Sequence, residues 1–264
     1  MIMIGLIYFV VILVSCIFAA IVGLGGGILF RPVLDALGHH DFNNIQFLSS
    51  CAIIVMALVS TFKKMKDGSK IDIPVVISIS LGAVLGGILG DWVLDYLLAL
   101  MRSERDLQIV QTLTTIVVLG AAIFLTVKKD VRIEIKNKFF PPLMGFVLGV
   151  VAVFLGIGGG PLNVPLFMIF LGLKPKEATA YSIVVIFFTH TARLVRTGIT
   201  SSFFYGFDLG ILPIVALAAA VGGLLGAKAS KKLKEETVKN MFIGAIVLVI
   251  VLNTFNGLSW IIGG

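Results

Sequence analysis

The stretch GLGGGILFRPVLDALG, residues 23–38, interrupts an apolar N-terminal run with four glycines within five residues. Glycine weakens helices and permits positive φ angles, so we predict that the first helix ends here. About ten residues then follow up to Leu37, or about 15 Å of helix, which is half the thickness of a bilayer core. We therefore predict a hairpin over residues 4–38, in which a full helix and a half-helix meet at the glycines.

The composition outside this stretch indicates an integral membrane protein. Of the 264 residues 58% are hydrophobic and 13% are charged, and the mean hydropathy is +1.10. These values lie outside the usual range of soluble domains and leave no room for a soluble catalytic or nucleic-acid-binding module. Apolar runs long enough to cross a bilayer are predicted at about 4–22, 44–62, 73–94, 107–127, 139–157, 177–195, 208–227 and 237–256.

The same motif returns 133 residues later. GIGGGPLNVP, residues 156–165, aligns with GLGGGILFRP, residues 23–32, and the same offset pairs Ser49 with Ser182. This self-similarity predicts a tandem duplication. We divide the chain into a first transmembrane repeat at 1–127, a cytoplasmic linker at 128–138 and a second repeat at 139–264.

The lysines indicate how the copies are oriented. They fall in four segments, 63–70, 128–138, 174–176 and 228–239, which the positive-inside rule places in the cytoplasm. Both termini are then expected outside. The loop after the first glycine motif falls outside and the loop after its copy falls inside, so the copies are inverted. The predicted fold is an all-α polytopic membrane protein of two inverted-topology repeats, with about eight transmembrane helices plus two half-helices.

The glycine motifs themselves suggest an anion site. Free N–H groups at the start of each half-helix, together with the helix dipole, attract negative charge. The candidate binding residues are Gly25, Gly26, Gly27, Gly158, Gly159 and Gly160. The alternative, that glycines only permit close helix packing, is favoured for Gly82, Gly86, Gly90, Gly145, Gly149, Gly222 and Gly226.

Polar side chains within the apolar segments are further candidates for binding the same solute. Arg31 is expected in a cavity or beside an anion, unless it reaches an interface or pairs with Asp35. Thr189 and Arg193 share one helix face with Ser182, although an arginine at a helix end is often a solvated cap. The remaining candidates are Ser49, Asn163, which could instead cap its half-helix, and His190, which is either a proton-coupling group or structural.

Several function classes find no support in the sequence. HExxH, CxxC and GxSxG are absent, and there is no run of histidines and carboxylates that would hold a metal. The glycine motifs depart from GxGxxG because Ile28 and Pro161 occupy the last position. We expect no catalytic site, no metal and no cofactor. The expected partners are a small anionic substrate and membrane lipid, without nucleic acid, and the oligomeric state is left open.

The two GxGGGxxxxP motifs, the later H-x-x-R and the helix start at Asp208 and Pro213 together resemble the sulfite exporter (TauE/SafE) family, also called toluene-sulfonate uptake permeases. The resemblance covers nearly the whole chain. It implies a proton-coupled transporter of small sulfur-containing anions, such as sulfite or organosulfonates like sulfoacetate. The positions that carry over are the glycine motifs, Ser49, Ser182, and Pro32 and Pro165, which we interpret as hinges.

These expectations combine into one functional hypothesis. We expect a secondary transporter in the cell (inner) membrane that binds its anion between the two glycine tips and works by alternating access. A passive anion channel and a transporter of small carboxylates are the alternatives that the same residues would serve. A membrane scaffold without transport is a third, although it gives the duplicated interruptions no purpose.

Overall fold

The computed structural model describes residues 2–40, 42–69, 71–100, 104–127, 133, 135, 137–155, 159–200 and 209–262. Throughout these residues the regular structure is helical. The helices are α1 Ile2–Val22, α2 Gly27–Leu37, α3 Phe42–Lys66, α4 Ile73–Leu100, α5 Glu104–Val127, α6 Phe140–Leu155, α7 Gly160–Phe170, α8 Pro175–Thr200, α9 Leu212–Lys232 and α10 Glu235–Ile262.

Seven of the described helices are long and apolar enough to cross a membrane: α1, α3, α4, α5, α8, α9 and α10. The protein is therefore an all-helical, multi-pass membrane protein, as predicted. The span predicted at 139–157 forms the shorter helix α6, which has 16 residues. It begins Phe-Pro-Pro, and proline is tolerated in a first helical turn because no N–H is needed there.

The predicted half-helices are both present. α2 and α7 have 11 residues each, or about 16 Å at ~1.5 Å per residue, and they begin 133 residues apart. Four residues separate the end of α1 from Gly27, where α2 begins, and α6 ends at Leu155, shortly before α7. The apolar runs are therefore broken at both glycine motifs, as their composition predicts.

The glycines assigned to close packing line two helix seams. A Cβ atom on Gly86 of α4 would overlap the carbonyl of Phe146 in α6, and one on Gly149 of α6 would overlap the carbonyl of Ala83 in α4. In the second seam, a Cβ on Gly226 of α9 would overlap the carbonyl of Ile17 in α1. Backbones that approach this closely leave no space for a side chain, which confirms the packing interpretation.

These seams interlock the two halves of the chain. α1 from the first half packs along α9 from the second, and α4 from the first packs along α6 from the second. The repeat exchanges these two pairs, because α6 is the copy of α1 and α9 is the copy of α4. α3 also packs against its own copy, α8. The hydrophobic interior is therefore built jointly by both halves.

The lysine-rich segments meet at one end of the helix bundle. Asp67, just after α3, accepts hydrogen bonds from Lys63 at 2.7 Å and from Lys231 of α9 at 3.2 Å. The main-chain N–H of Lys176 donates to Glu235 at the start of α10 at 2.8 Å. The linker reaches the same end, because its residues 133 and 135 donate main-chain hydrogen bonds to the last turn of α7.

The other end of the bundle carries the loop that follows α2. There Tyr8 of α1 and His40 are joined by a 2.7 Å hydrogen bond, and Arg196 near the end of α8 forms an ion pair with Asp91 of α4. The 25-residue helix α3 separates this end from the lysine-rich end. The loop after α7 lies at the lysine-rich end, so α2 and α7 run toward opposite ends, as copies of inverted orientation do.

Candidate functional site

The first helix break leaves a run of main-chain donors unused. The N–H of Gly23 closes α1 by donating to Ala19 at 2.8 Å, and Gly23 has a φ of 76°, a conformation that favours glycine. The N–H groups of Leu29 and Phe30 both donate to the carbonyl of Gly26, at 3.0 and 3.1 Å. Between these points, the N–H groups of residues 24–28 donate to no acceptor within the described residues.

Such unpaired donors are unusual in a buried segment. Gly25 and Gly26 are buried, and Leu24 is only 1% exposed. More than nine in ten buried main-chain N–H groups in proteins are hydrogen-bonded, and each one left unpaired costs about 1–3 kcal/mol. Adjacent unpaired donors at a helix start are the arrangement that binds anions.

The second break repeats this hydrogen-bond pattern. Gly159 caps α7 with a φ of 77°, and its carbonyl accepts from the N–H groups of Leu162 at 3.1 Å and Asn163 at 3.0 Å. These are the counterparts of Gly26, Leu29 and Phe30 at the offset of 133 residues. Pro161 has no N–H, so this copy offers one donor fewer in its first turn. Gly158, also a candidate, lies outside the described residues.

The two breaks are in direct contact with each other. A Cβ on Gly160 would overlap the carbonyl of Leu24, and one on Gly23 would lie 2.8 Å from the Cα of Thr179 in α8. Ser182, one turn further along α8, donates a 2.6 Å hydrogen bond to the carbonyl of Gly23. The two glycine motifs and α8 therefore form one junction.

Two of the candidate residues carry a buried side-chain atom that has no hydrogen-bond partner among the described residues. Ser49 is 6% exposed and Asn163 is 2% exposed, and the unpaired atoms are the Oγ of Ser49 and the Oδ1 of Asn163. The Asn163 amide lies beside Gly159, since its oxygen and nitrogen are 3.5 and 3.6 Å from the position of a Cβ on that glycine. Its oxygen and nitrogen are interchangeable by a flip, so the amide can offer a donor to the break. No side-chain cap is formed at α7.

Other candidates already have partners in this conformation. A serine or threonine hydroxyl has one proton, and Ser182 donates it to Gly23 while Thr189 donates it to Ile186 at 3.0 Å. They hold the main chain and leave no hydroxyl proton for a solute. His190 is 8% exposed, and its Nδ1 lies 3.4 Å from the Oγ of Ser50. This contact joins α8 to α3.

Two further candidates, Arg193 and Pro165, lie in α8 and α7. Arg193 is half-buried in α8, one turn beyond Thr189 toward the end that carries Arg196. Pro165 is buried inside α7. Arg31 and Pro32 belong to α2, and their side chains lie outside the described part of the chain.

The sequence did not single out Lys64 and Thr179. Lys64 belongs to a lysine cluster interpreted as cytoplasmic, yet it is only 5% exposed, and its Nζ lies 3.4 Å from the Oγ1 of Thr179. The available signal was its spacing: Lys64 follows Ser49 and Ser60 on one face of α3 by the helical period.

Outside the spans, the hydrogen bond from Lys63 holds the pKa of the Asp67 carboxyl below its ordinary value.

The described residues include no group of three histidine, cysteine or acidic side chains that could hold a metal ion. The arrangement at the junction is instead one of main-chain N–H groups, an amide and a hydroxyl. Such groups bind an anion by hydrogen bonds.

Comparison with known proteins identifies the family. The model of the family described as Sulfite exporter TauE/SafE matches residues 7–252. The chain belongs to this family. The resemblance drawn from the two glycine motifs is thereby confirmed.

A curated relative supports the same assignment. Over 108 residues the chain is 32% identical to the probable membrane transporter protein YunE of Bacillus subtilis (strain 168). The aligned part covers 41% of this chain and 37% of that protein, so it spans little more than a third of the relative's length. No solved structure matches the chain.

Proposed function

We propose that this TauE/SafE protein is a secondary transporter of small sulfur-containing anions, such as sulfite or organosulfonates like sulfoacetate. It works by alternating access in the cell (inner) membrane, with both termini outside. The solute crosses unchanged, so the protein is not an enzyme. The observation that carries the proposal is the run of N–H groups at residues 24–28 that find no acceptor among the described residues, next to the second break.

The chemistry of the junction supports an anionic solute. The N–H groups at the start of α2 attract negative charge, and the dipole of the half-helix adds to this attraction. Ser49 and Asn163 add a hydroxyl and an amide, and the Oγ and Oδ1 atoms of these side chains have no partner among the described residues. The family description is what favours sulfur-containing anions among the oxyanions, since amide donors serve carboxylates equally well.

The contact between the breaks supports alternating access. A passive channel needs a continuous path, whereas the backbone of Gly160 is packed directly on that of Leu24. Because the halves are inverted copies, rocking one set of helices against the other exchanges similar inward-open and outward-open arrangements. Pro32 and Pro165 interrupt the hydrogen bonding of the half-helices and serve as hinges in this scheme.

Proton coupling is assigned to His190. It is the histidine buried within the membrane-spanning helix α8, and it contacts Ser50 of α3 across the α3–α8 seam. A proton taken up there would add charge at a seam that must change during transport. Accumulation of sulfite against a gradient that stops with an uncoupler is the expected result. Equilibration without accumulation would favour the passive channel.

The N–H groups can be tested without disturbing the glycines. Ile28→Pro removes one N–H in the first turn of α2, at the position where the second copy carries Pro161. The matched control Ile28→Val keeps the N–H. Hydrogen bonds to charged groups contribute about 1.5–3 kcal/mol, so the apparent affinity for sulfite should fall about tenfold or more in Ile28→Pro only.

The measurement is uptake of sulfite into proteoliposomes, with sulfoacetate, acetate and succinate in parallel. Thermal unfolding of Ile28→Pro without substrate checks that the fold is retained. An unchanged half-saturation concentration in Ile28→Pro would reject the main-chain anion site. Transport of the carboxylates alone would replace the sulfur-containing anions with carboxylates as the substrate class.

A further inference from the structure

Lys64 has surroundings unlike those of the neighbouring lysines. It lies in the last turn of α3 and is 5% exposed, whereas Lys66, half a turn on, is exposed. Its ammonium group carries three N–H donors, and the one hydrogen bond it forms among the described residues is the 3.4 Å contact with Thr179. The Thr179 hydroxyl in turn donates to the carbonyl of Lys176 at 2.8 Å.

Three carboxylates at this end of the bundle form hydrogen bonds to other groups. Asp67 accepts from Lys63 and Lys231, Glu235 accepts from the main chain of Lys176, and Glu177 accepts from the main chain of Lys174 at 3.1 Å. No ion pair involves Lys64 in the part of the chain that the structure describes. A buried ammonium without a counter-charge is unfavourable, so a role that justifies its position is expected.

The position of Lys64 connects it to the first glycine break. The backbone of Thr179 lies against Gly23, with its Cα 2.8 Å from the position of a Cβ on that glycine. Lys64 is therefore separated from the break by a single residue of α8. The same face of α3 carries Ser60 and, further along, the unpaired Ser49. This face leads from the lysine-rich end toward the junction.

The second half of the chain also carries a basic residue on the helix that corresponds to α3. At the offset of 133 residues Ser60 corresponds to Arg193, and Lys64 corresponds to Thr197. Each half thus carries one basic residue on the matching helix face, one turn apart. Lys64 lies toward the lysine-rich end and Arg193 toward the end that holds Arg196 and Asp91. The junction lies between these two charges.

We propose that Lys64 binds the transported anion on the lysine-rich side of the first glycine break. The ammonium group supplies there the charge that the neutral main-chain donors lack, and it holds the anion as it passes between the junction and that end of the protein. This inference rests on the proposed function, because it concerns the same anion and the same path.

The test uses three variants of the full-length protein. Lys64→Met removes the charge and keeps the apolar stem, Lys64→Arg keeps the charge, and Lys66→Met is the control at an exposed lysine of the same cluster. The half-saturation concentration for sulfite uptake should rise about tenfold or more in Lys64→Met, since hydrogen bonds to charged groups are the strong ones. It should change little in Lys64→Arg and Lys66→Met.

Thermal unfolding separates binding from structure. Without anion, Lys64→Met should be at least as stable as the wild type, because an unpaired buried charge has been removed. Sulfite or sulfoacetate should raise the unfolding temperature of the wild type, and much less that of Lys64→Met. A large loss of stability in Lys64→Met without anion would show that Lys64 is structural and overturn the inference.

The two proposals fail in different ways. Normal sulfite transport by Lys64→Met would overturn the role of Lys64 and leave the transporter standing. Stabilisation of the wild type by sulfite that depends on Lys64, without any transport, would support the binding role and reject transport. If neither sulfite nor sulfoacetate stabilises the wild type, both proposals are rejected.

Discussion

The two glycine breaks share one backbone pattern and differ in the groups they offer. In each, the residue before the half-helix accepts two N–H groups of the first turn, Gly26 in the first copy and Gly159 in the second. The first break continues with Ile28 and Phe30, and the second has Pro161 and Asn163 at these positions. The first therefore exposes main-chain donors among apolar side chains, and the second exposes a side-chain amide.

The serines that face the breaks differ in the same way. Ser182 of α8 donates to the carbonyl of Gly23 in the first break, whereas the Oγ of its counterpart Ser49 of α3 has no partner in the described part of the chain. The two breaks thus share a backbone pattern while the serines that correspond to each other differ: one forms a structural hydrogen bond and the other has an unused hydroxyl. Counterpart substitutions in the two copies can measure this difference directly.

The largest effect is expected at the first residue of the half-helices. A Cβ on Gly160 would overlap the backbone of Leu24, whereas one on its counterpart Gly27 would meet only the side-chain end of Ile53, at 2.7 Å. Overpacking against backbone is costly, so Gly160→Ala should lower the free energy of unfolding by about 3 kcal/mol and Gly27→Ala by about 1 kcal/mol or less. Thermal unfolding in detergent compares them, and equal losses would contradict the described contact between the breaks.

A smaller effect is expected at the two serines. Ser182→Ala leaves the buried carbonyl of Gly23 without its donor and should destabilise the protein by about 1–3 kcal/mol. Ser49→Ala loses no hydrogen bond, so its stability should stay within about 0.5 kcal/mol of the wild type. Its apparent affinity for sulfite should fall instead. A larger loss of stability in Ser49→Ala than in Ser182→Ala would contradict the assignment of the structural hydrogen bond to Ser182.

The smallest effect is expected at Asp67, outside both breaks. The hydrogen bond from Lys63, with a further one from Lys231, holds the pKa of this carboxyl below its ordinary value in the folded protein. The resulting stabilisation is present above the pKa of the unfolded chain and is lost as the pH falls through the lower, folded value. The unfolding temperature of the wild type should exceed that of Asp67→Asn slightly at pH 7.

The difference in unfolding temperature between the wild type and Asp67→Asn should vanish at acidic pH. Its size shows how much one contact outside the breaks contributes, for comparison with the effects of the substitutions at the breaks. Glu236→Gln, at an exposed carboxylate of the same end, is the control. A difference between wild type and Asp67→Asn that grows as the pH falls would contradict the direction of the pKa shift.

The fold was largely predictable because its signals are local. Runs of apolar residues define the spans, and clustered glycines end α1 before Gly23 and let α2 begin at Gly27. The glycines of α4, α6 and α9 also predicted close packing of these helices. The span predicted at 139–157 forms the shorter helix α6, because hydropathy alone does not indicate where two prolines allow a helix to begin.

The sequence predicted where the helices break, but it did not predict how the polar side chains around the breaks are hydrogen-bonded. Spacing placed Ser182 and Thr189 on the face toward the solute, but their protons go to carbonyl groups that only the packed helices bring within reach. Lys64 was hidden in a lysine cluster, because burial depends on how α3 and α8 meet. The roles of Arg31, Arg193 and Asn163 in binding stay predictions.

The sequence by itself determined that this chain crosses the membrane many times, that it is duplicated, and where its helices break, because hydropathy and glycine act on neighbouring residues. The tertiary structure decided that the halves interlock, that Gly160 rests on Leu24, and which polar atoms stay unpaired. Those outcomes depend on the rotation and register of helices far apart in the chain, which no local pattern specifies.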